Sequence, residues 1–203
     1  IHTPAEAAIA TLIILYVIAS LFNLRIPRTE TPLQPYAANP IFLVKDFMQC
    51  SSRLWGDKLG QISLATTTLF WGVSGNLRYI VLAWAGVALH YDTTKASALV
   101  GVVAIGTAVG AVWASVKMRL DQATLVIPLG VAMGLLVLGM NFLRDITVTV
   151  PFMIILGGLG GFLVVPMNAL LQHRGHNLMG AGRSIAVQNF HEQACILVLG
   201  LMY

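Results

Sequence analysis

The sequence predicts an all-α membrane protein, and three observations carry that reading. Charged residues make up 10% of the 203-residue chain and hydrophobic residues 57%, with a mean hydropathy of +0.80. Soluble domains carry about 25% charged residues, so this composition cannot cover itself with a water-compatible surface. Six apolar stretches of the length that crosses a bilayer, roughly 20 residues, alternate with short polar turns. The basic residues are also sorted by turn, as they are across a membrane.

The first span covers residues 5–24, with Glu6 near its outer end, and is apolar all round, as a lipid-facing or packing helix would be. Residues 25–40 turn polar and carry Pro27, Pro32, Pro35 and Pro40. Proline removes backbone donors and disfavours helix in the preceding residue, so this is an extended linker. A helical period returns over residues 41–59, where Val44, Phe47, Met48, Leu54, Trp55 and Leu59 gather on one side among Lys45, Asp46, Arg53, Asp57 and Lys58. That pattern predicts an amphipathic helix on the membrane surface, and with the linker it forms a hinge between two bundles.

The second span, residues 64–89 (LATTTLFWGVSGNLRYIVLAWAGVAL), has one charge, Arg78, at about its midpoint. An arginine at a helix centre costs roughly 2.5–3.5 kcal/mol even on the lenient insertion scale, so it belongs in a bundle interior or a wet cavity. Helical spacing puts Thr67, Trp71, Ser74, Gly75 and Arg78 on one face, which reads as the wall of a polar pocket. The third span, 96–116, has Gly106 and Gly110 four apart, the spacing that lets membrane helices approach closely. The fourth, 123–143, has only Pro128 and Asn141 to mark it and is expected at the periphery.

The fifth span, 150–172, contains GGLGG at 157–161, then Pro166 and Asn168, and the polar run 173–177 is expected to be a turn. A nucleotide-binding loop would need a preceding strand and a following Lys-Ser/Thr, which this sequence does not supply. The sixth span starts near Gly180 and is rich in polar groups, with Ser184, Gln188, His191 and Cys195 on one side and Glu192 beside them. Glu192 falls about 18 Å along the helix from Gly180. Spans two and six are therefore expected to set ionisable groups of opposite sign at the same mid-depth.

Arg25, Arg28, Lys45, Arg53, Lys58, Lys117, Arg119, Arg174 and Arg183 fall on one side of the membrane, against Lys95 and Arg144 on the other. This assigns the linker side to the cytoplasm, and the net charge of +4 reflects topology, not a nucleic-acid partner. Cys50 and Cys195 are read as free packing thiols, and no spacing predicts a metal site or a cofactor. His191 is either a proton carrier or a plain hydrogen-bonding group; His173 and His176 are expected in a solvated or headgroup-contacting turn. With Ile1 in place of an initiator methionine and no basic leader before the first span, the chain is expected to be an interior piece of a longer polypeptide.

Three segments, LFWGVSGNLRYIVLAWAGVAL (69–89), GGFLVVPMNALLQHRG (160–175) and GAGRSIAVQNFHEQ (180–193), resemble the bacterial lysophospholipid transporter family of the major facilitator superfamily. The resemblance implies six transmembrane helices, about helices six to eleven of a twelve-helix transporter. Residues 1–24 would be the last helix of the N-terminal half, 25–60 the cytoplasmic linker with its surface helix, and 61–203 a truncated C-terminal bundle. It further implies a cavity near the midplane lined by the second, third, fifth and sixth spans, and transport of lysophosphatidylethanolamine-like lysolipids from the outer to the inner leaflet of the bacterial inner membrane. A cytoplasmic acyltransferase would then restore the missing chain, and the transporter would act as a monomer.

By the same resemblance the functional arginine of helix seven falls on Arg78 and a carboxylate on Glu192, with Asn168 as a gate residue. Ser74, Asn76 and Gln188 are candidates for supporting contacts, Asn76 only if the helix breaks near Gly75. Arg78 is read as the phosphate ligand, and Glu192 as partner to the ammonium or to Arg78 itself. A purely structural Arg78–Glu192 pair stays open. The loop 117–122 departs from the superfamily's Gly-Asp-Arg-rich signature. No His-x4-Asp pair and no Gly-x-Ser-x-Gly turn is present, so an enzyme is not expected. The alternatives are a transporter of a drug or sugar, and a non-transporting subunit of an acyltransferase system.

Overall fold

The computed structural model describes residues 4–26 and 39–203. They divide into two units, 1–38 and 39–203. In the first, α1 (Pro4–Asn23) is one helix of 20 residues with Glu6 in its first turn. The linker prolines Pro27, Pro32 and Pro35 lie outside the described residues.

The second unit holds α2 (Pro40–Gly56), α3 (Lys58–Ala88), α4 (Thr93–Lys117), α5 (Ile127–Gly139), α6 (Ile146–Met179) and α7 (Ala181–Met202). Short 3-10 turns, Leu120–Val126 and Met140–Phe142, flank α5. Carboxylates and an amide start most of these helices. Asn39 accepts from the Ile41 N–H at 3.0 Å with Pro40 in the first turn, and Asp57 accepts from the Gly60 N–H at 2.7 Å. Asp92 and Asp145 do the same for α4 and α6. Each supplies an acceptor to N–H groups that have no partner within the helix. Gly180, at φ 87°, ends α6 and turns the chain into α7.

Among the described residues, five helical segments are long and apolar enough to cross a membrane: 6–23, 93–117, 120–142, 146–179 and 181–202. The protein is therefore an all-helical, multi-pass membrane protein. The second expected span is not among the five. At 31 residues α3 is ample in length, about 46 Å, but Thr66, Thr67, Thr68, Ser74, Asn76 and Arg78 lower its hydropathy. It packs on α4, α6 and α7.

Two further expectations change. The run 173–177 is not a turn, because α6 continues through it to Met179. Gly175 there is a packing residue: a Cβ would lie 1.8 Å from the Ser184 hydroxyl of α7. The apolar side of α2 also divides. Phe47, Cys50 and Leu54 pack on Leu64, Leu171 and Val187, whereas Val44 and Met48 are exposed and Leu59 belongs to α3.

Glycines set the closest crossing. Gly106 and Gly110 of α4 face the backbone of Ile154 and Gly158, and Gly157 and Gly161 of α6 face that of Val103 and Thr107. Because the numbers rise together, α4 and α6 run parallel, and so do α3 and α7, where Gly72 meets Cys195 and Gly75 meets Ile196. The segment containing α5 packs chiefly on α6, and no residue of α5 itself is buried, as expected of a peripheral helix.

Candidate functional site

Arg78 of α3 is exposed, not held in the bundle interior, and it edges a cavity of about 180 Å³ walled by Phe70, Trp71, Ser74, Leu77 and Val81 of α3, Val100, Val103 and Thr107 of α4, and Val164 of α6. Its Nη2 donates to the Tyr79 hydroxyl at 2.8 Å, and the guanidinium carbon sits 4.7 Å from the centre of that ring. Among the described residues no carboxylate pairs with Arg78; the ion pairs there are Arg119–Asp121, Arg174–Asp57 and Arg183–Asp46. A guanidinium presents five donors in a planar fork, and Tyr79 occupies one of its arms. The rest of the cavity wall is almost wholly apolar.

Only part of the expected polar face of α3 lines this cavity. Trp71, Ser74 and Arg78 do so. Thr67 is fully buried and returns its hydroxyl to the carbonyls of Ser63 and Leu64, while Gly75 packs on Ile196 of α7. Asn76 points to α7: its amide donates to the carbonyl of Gly72 at 2.9 Å and to that of Ile196 at 3.1 Å. No break near Gly75 brings it round, since α3 is continuous there.

Asn168, Gln188 and Glu192 form a second polar cluster, between α6 and α7. The Gln188 amide nitrogen donates to Asn168 Oδ1 at 2.9 Å and to Glu192 Oε1 at 2.8 Å, using both of its hydrogens. Gln188 and Glu192 are each 8% exposed. The two clusters are not at one depth. With Gly72 beside Cys195 and Asn76 beside Ile196 and Gly200, Glu192 lies level with about Leu69. Arg78 is nine or ten residues further along, about 14 Å at 1.5 Å per residue. The equal-depth expectation took the midpoint of the apolar stretch as the midpoint of the span, but α3 begins at Lys58, six residues before that stretch.

A third set of contacts fastens α2 to the end where α3 and α7 begin. Arg174 of α6 meets Asp57 with both arms of its fork, Nε donating to Oδ2 at 3.0 Å. This hydrogen bond is the main reason the Asp57 carboxyl titrates below its ordinary range. Arg183 pairs with Asp46 at 3.0 Å, and Phe47 stacks edge-on against Phe190. The Trp55 indole N–H donates to His191 Nε2 at 3.1 Å, while His191 Nδ1 lies 2.8 Å from the Val187 carbonyl. An acceptor at Nε2 and a donor at Nδ1 assign the neutral imidazole with its proton on Nδ1. Both free thiols are found as expected, Cys50 buried and Cys195 partly so.

Sequence reasoning missed Tyr79, although it adjoins Arg78, because it looked for a carboxylate. It also missed the Trp55–His191 and Asp57–Arg174 contacts, which join residues 136 and 117 positions apart. Among the described residues no group of His, Cys, Asp and Glu is placed to hold a metal.

The chain is 38% identical over 197 residues to the lysophospholipid transporter LplT of Yersinia pestis (strain Pestoides F) and to that of Yersinia pseudotuberculosis serotype O:3 (strain YPIII). The match covers 96% of this chain and 48% of each relative, so the chain spans about half the length of the curated relatives it matches. No family model matches the chain, and no solved structure matches it. Over nearly its whole length, then, the chain is similar to the lysophospholipid transporter LplT, aligned with about half of that protein.

Proposed function

We propose that this chain works in a major facilitator transporter that carries lysophosphatidylethanolamine-like lysolipids from the outer to the inner leaflet of a bacterial inner membrane, for re-acylation by a cytoplasmic acyltransferase. The observation that carries this is Arg78, a guanidinium with no carboxylate partner among the described residues, beside a cavity that is almost wholly apolar. A lysophospholipid presents a phosphate, a headgroup amine and one acyl chain. Arg78 holds the phosphate through charge-assisted bonds, with Ser74 beside it. Glu192, held by the Gln188 amide that also bonds Asn168 and lying about 14 Å nearer the basic end, receives the headgroup ammonium as the lipid descends. Asn76 serves α3–α7 packing.

In this reading residues 1–24 close the N-terminal half, 25–60 form the cytoplasmic linker, and 61–203 belong to the C-terminal half. The protein acts as a monomer and performs no covalent chemistry. The basic end is cytoplasmic: Lys58, Lys117, Arg174 and Arg183 gather where α3 and α7 begin and α4 and α6 finish. The test is uptake of labelled lysophosphatidylethanolamine by cells or vesicles expressing the protein. A hydrogen bond to a charged group is worth about 1.5–3 kcal/mol, so Arg78→Ala should lower uptake about ten- to a hundredfold, with Arg78→Lys intermediate. Near-normal uptake by a well-expressed Arg78→Ala protein would overturn the assignment, and competition by a drug or sugar instead of lysolipids would redirect the substrate.

A further inference from the structure

The cavity around Arg78 has a neighbour. A crevice of about 310 Å³ runs between α3, α5 and α6, and it shares Phe70, Ser74 and Leu77 with the Arg78 cavity. Its remaining wall is apolar, formed by residues such as Leu69, Val73, Val131 and Leu163. Of its two hydroxyl residues, Thr66 is turned back onto the Ile62 carbonyl at 2.8 Å, and Ser74 stands at the boundary with Arg78. The crevice persists because α5 presents Gly130 and Gly134 to it. A Cβ on Gly130 would touch only Leu163, at 3.6 Å, and one on Gly134 would meet nothing within 4 Å.

We infer that this crevice receives the acyl chain of the lysolipid whose phosphate Arg78 holds; the inference rests on the lysolipid reading above. The two halves of such a ligand have opposite needs. The phosphate requires the cation, whereas methylenes drawn with it into a wet cavity would carry the penalty of apolar surface in water. A groove lined by Leu, Val and Phe beside the cation removes that penalty, because to an acyl chain it is equivalent to bilayer hydrocarbon. Phe70 and Leu77 divide the compartments and set where the glycerol must pass. Charge complementarity at one end and apolar continuity at the other commit the crevice to the tail of a single-chain phospholipid.

The test fills the crevice where there is room. Gly134→Phe projects a ring into open space, and Gly139→Phe, on the same helix and also without neighbours within 4 Å, is the control outside the crevice. Uptake is measured for lysophosphatidylethanolamines with sixteen-carbon and eight-carbon chains, at equal expression. The ratio of long- to short-chain uptake should fall about tenfold in Gly134→Phe, a loss of differential binding read as kcat/KM. It should not move in Gly139→Phe, and Arg78→Ala should depress both substrates alike. An unchanged ratio in Gly134→Phe, with Arg78→Ala still inactive, would overturn the crevice while leaving the phosphate site standing, and would mark the crevice as filled by bulk lipid. An equal fall for both chain lengths would likewise overturn it. Normal uptake of both by Arg78→Ala would overturn the lysolipid site itself.

Discussion

Gly110 is where the smallest change should have the largest structural effect. Replacing it with alanine sets a methyl carbon 1.9 Å from the Gly158 carbonyl oxygen, with the Gly158 carbonyl carbon and Cα at 2.7 and 2.8 Å. Ordinary carbon–oxygen approaches are about 3.3–3.6 Å, so α4 and α6 must separate by about 1.4 Å at this level. The neighbouring contacts share the strain, because Gly106, Gly157 and Gly161 face carbonyl oxygens at 2.3, 2.2 and 2.0 Å from their own would-be Cβ atoms. A gap of 0.5–1 Å already forfeits about a quarter to a half of each dispersion contact. Overpacking of this kind costs about 1–3 kcal/mol, and the better helix propensity of alanine returns at most about 1 kcal/mol. Packing wins, and the unfolding midpoint of detergent-purified protein should drop by about 2–6 °C. Gly101→Ala, where nothing lies within 4 Å, is the matched control and should hold or raise the midpoint. A Gly110→Ala protein as stable as the parent would refute the close approach of these helices.

Asn76→Ala removes the amide that ties α3 to the Ile196 carbonyl. It should cost about 0.5–1.5 kcal/mol in thermal unfolding while leaving the KM for lysolipid unchanged; a raised KM at unaltered stability would instead place Asn76 at the substrate. For Asp57 the folded pKa lies below its ordinary value, chiefly through the Arg174 hydrogen bond. Its contribution is therefore complete above the unfolded value, about 3.9, and fades as pH falls through the lower folded value. Asp57→Asn should lower the unfolding midpoint at neutral pH, and the gap to the parent should close at the acid end of a titration. A gap that is constant with pH would show that the carboxylate charge is not what matters there.

The fold was legible where a single residue type is decisive, and less so where two distant segments must be seen together. Apolar length alone placed α1 and α4 to within a few residues, and the spacing of Gly106 and Gly110 marked a close crossing without saying that the GGLGG run of α6 was the other half of it. The polar run 173–177 misled because polarity was read as exposure to turn solvent. In the structure Arg174 is satisfied by Asp57 and Gly175 by its fit against Ser184, so the helix has no reason to stop. The same limit explains the site. Helical periodicity correctly joined Ser74 and Arg78, which stand on one element, and it gathered Gln188 and Glu192 for the same reason.

Relative depth is different, because it depends on where each helix begins and on which neighbour it is staggered against. A cation and a carboxylate on neighbouring helices of one bundle invite pairing, since each alone is costly in hydrocarbon, yet Arg78 is exposed and Glu192 is buried. Here each has found its own solution. Arg78 leans on Tyr79 and a cavity, and Glu192 shares an amide with Asn168. Had they paired, both charges would have been neutralised in place and neither would need a ligand. A separation of about 14 Å along α3 and α7 leaves the cation with spare donors at one level and the carboxylate in a polar cluster at another. That is the arrangement a zwitterionic headgroup can use in succession, and a fixed ion pair could not offer it.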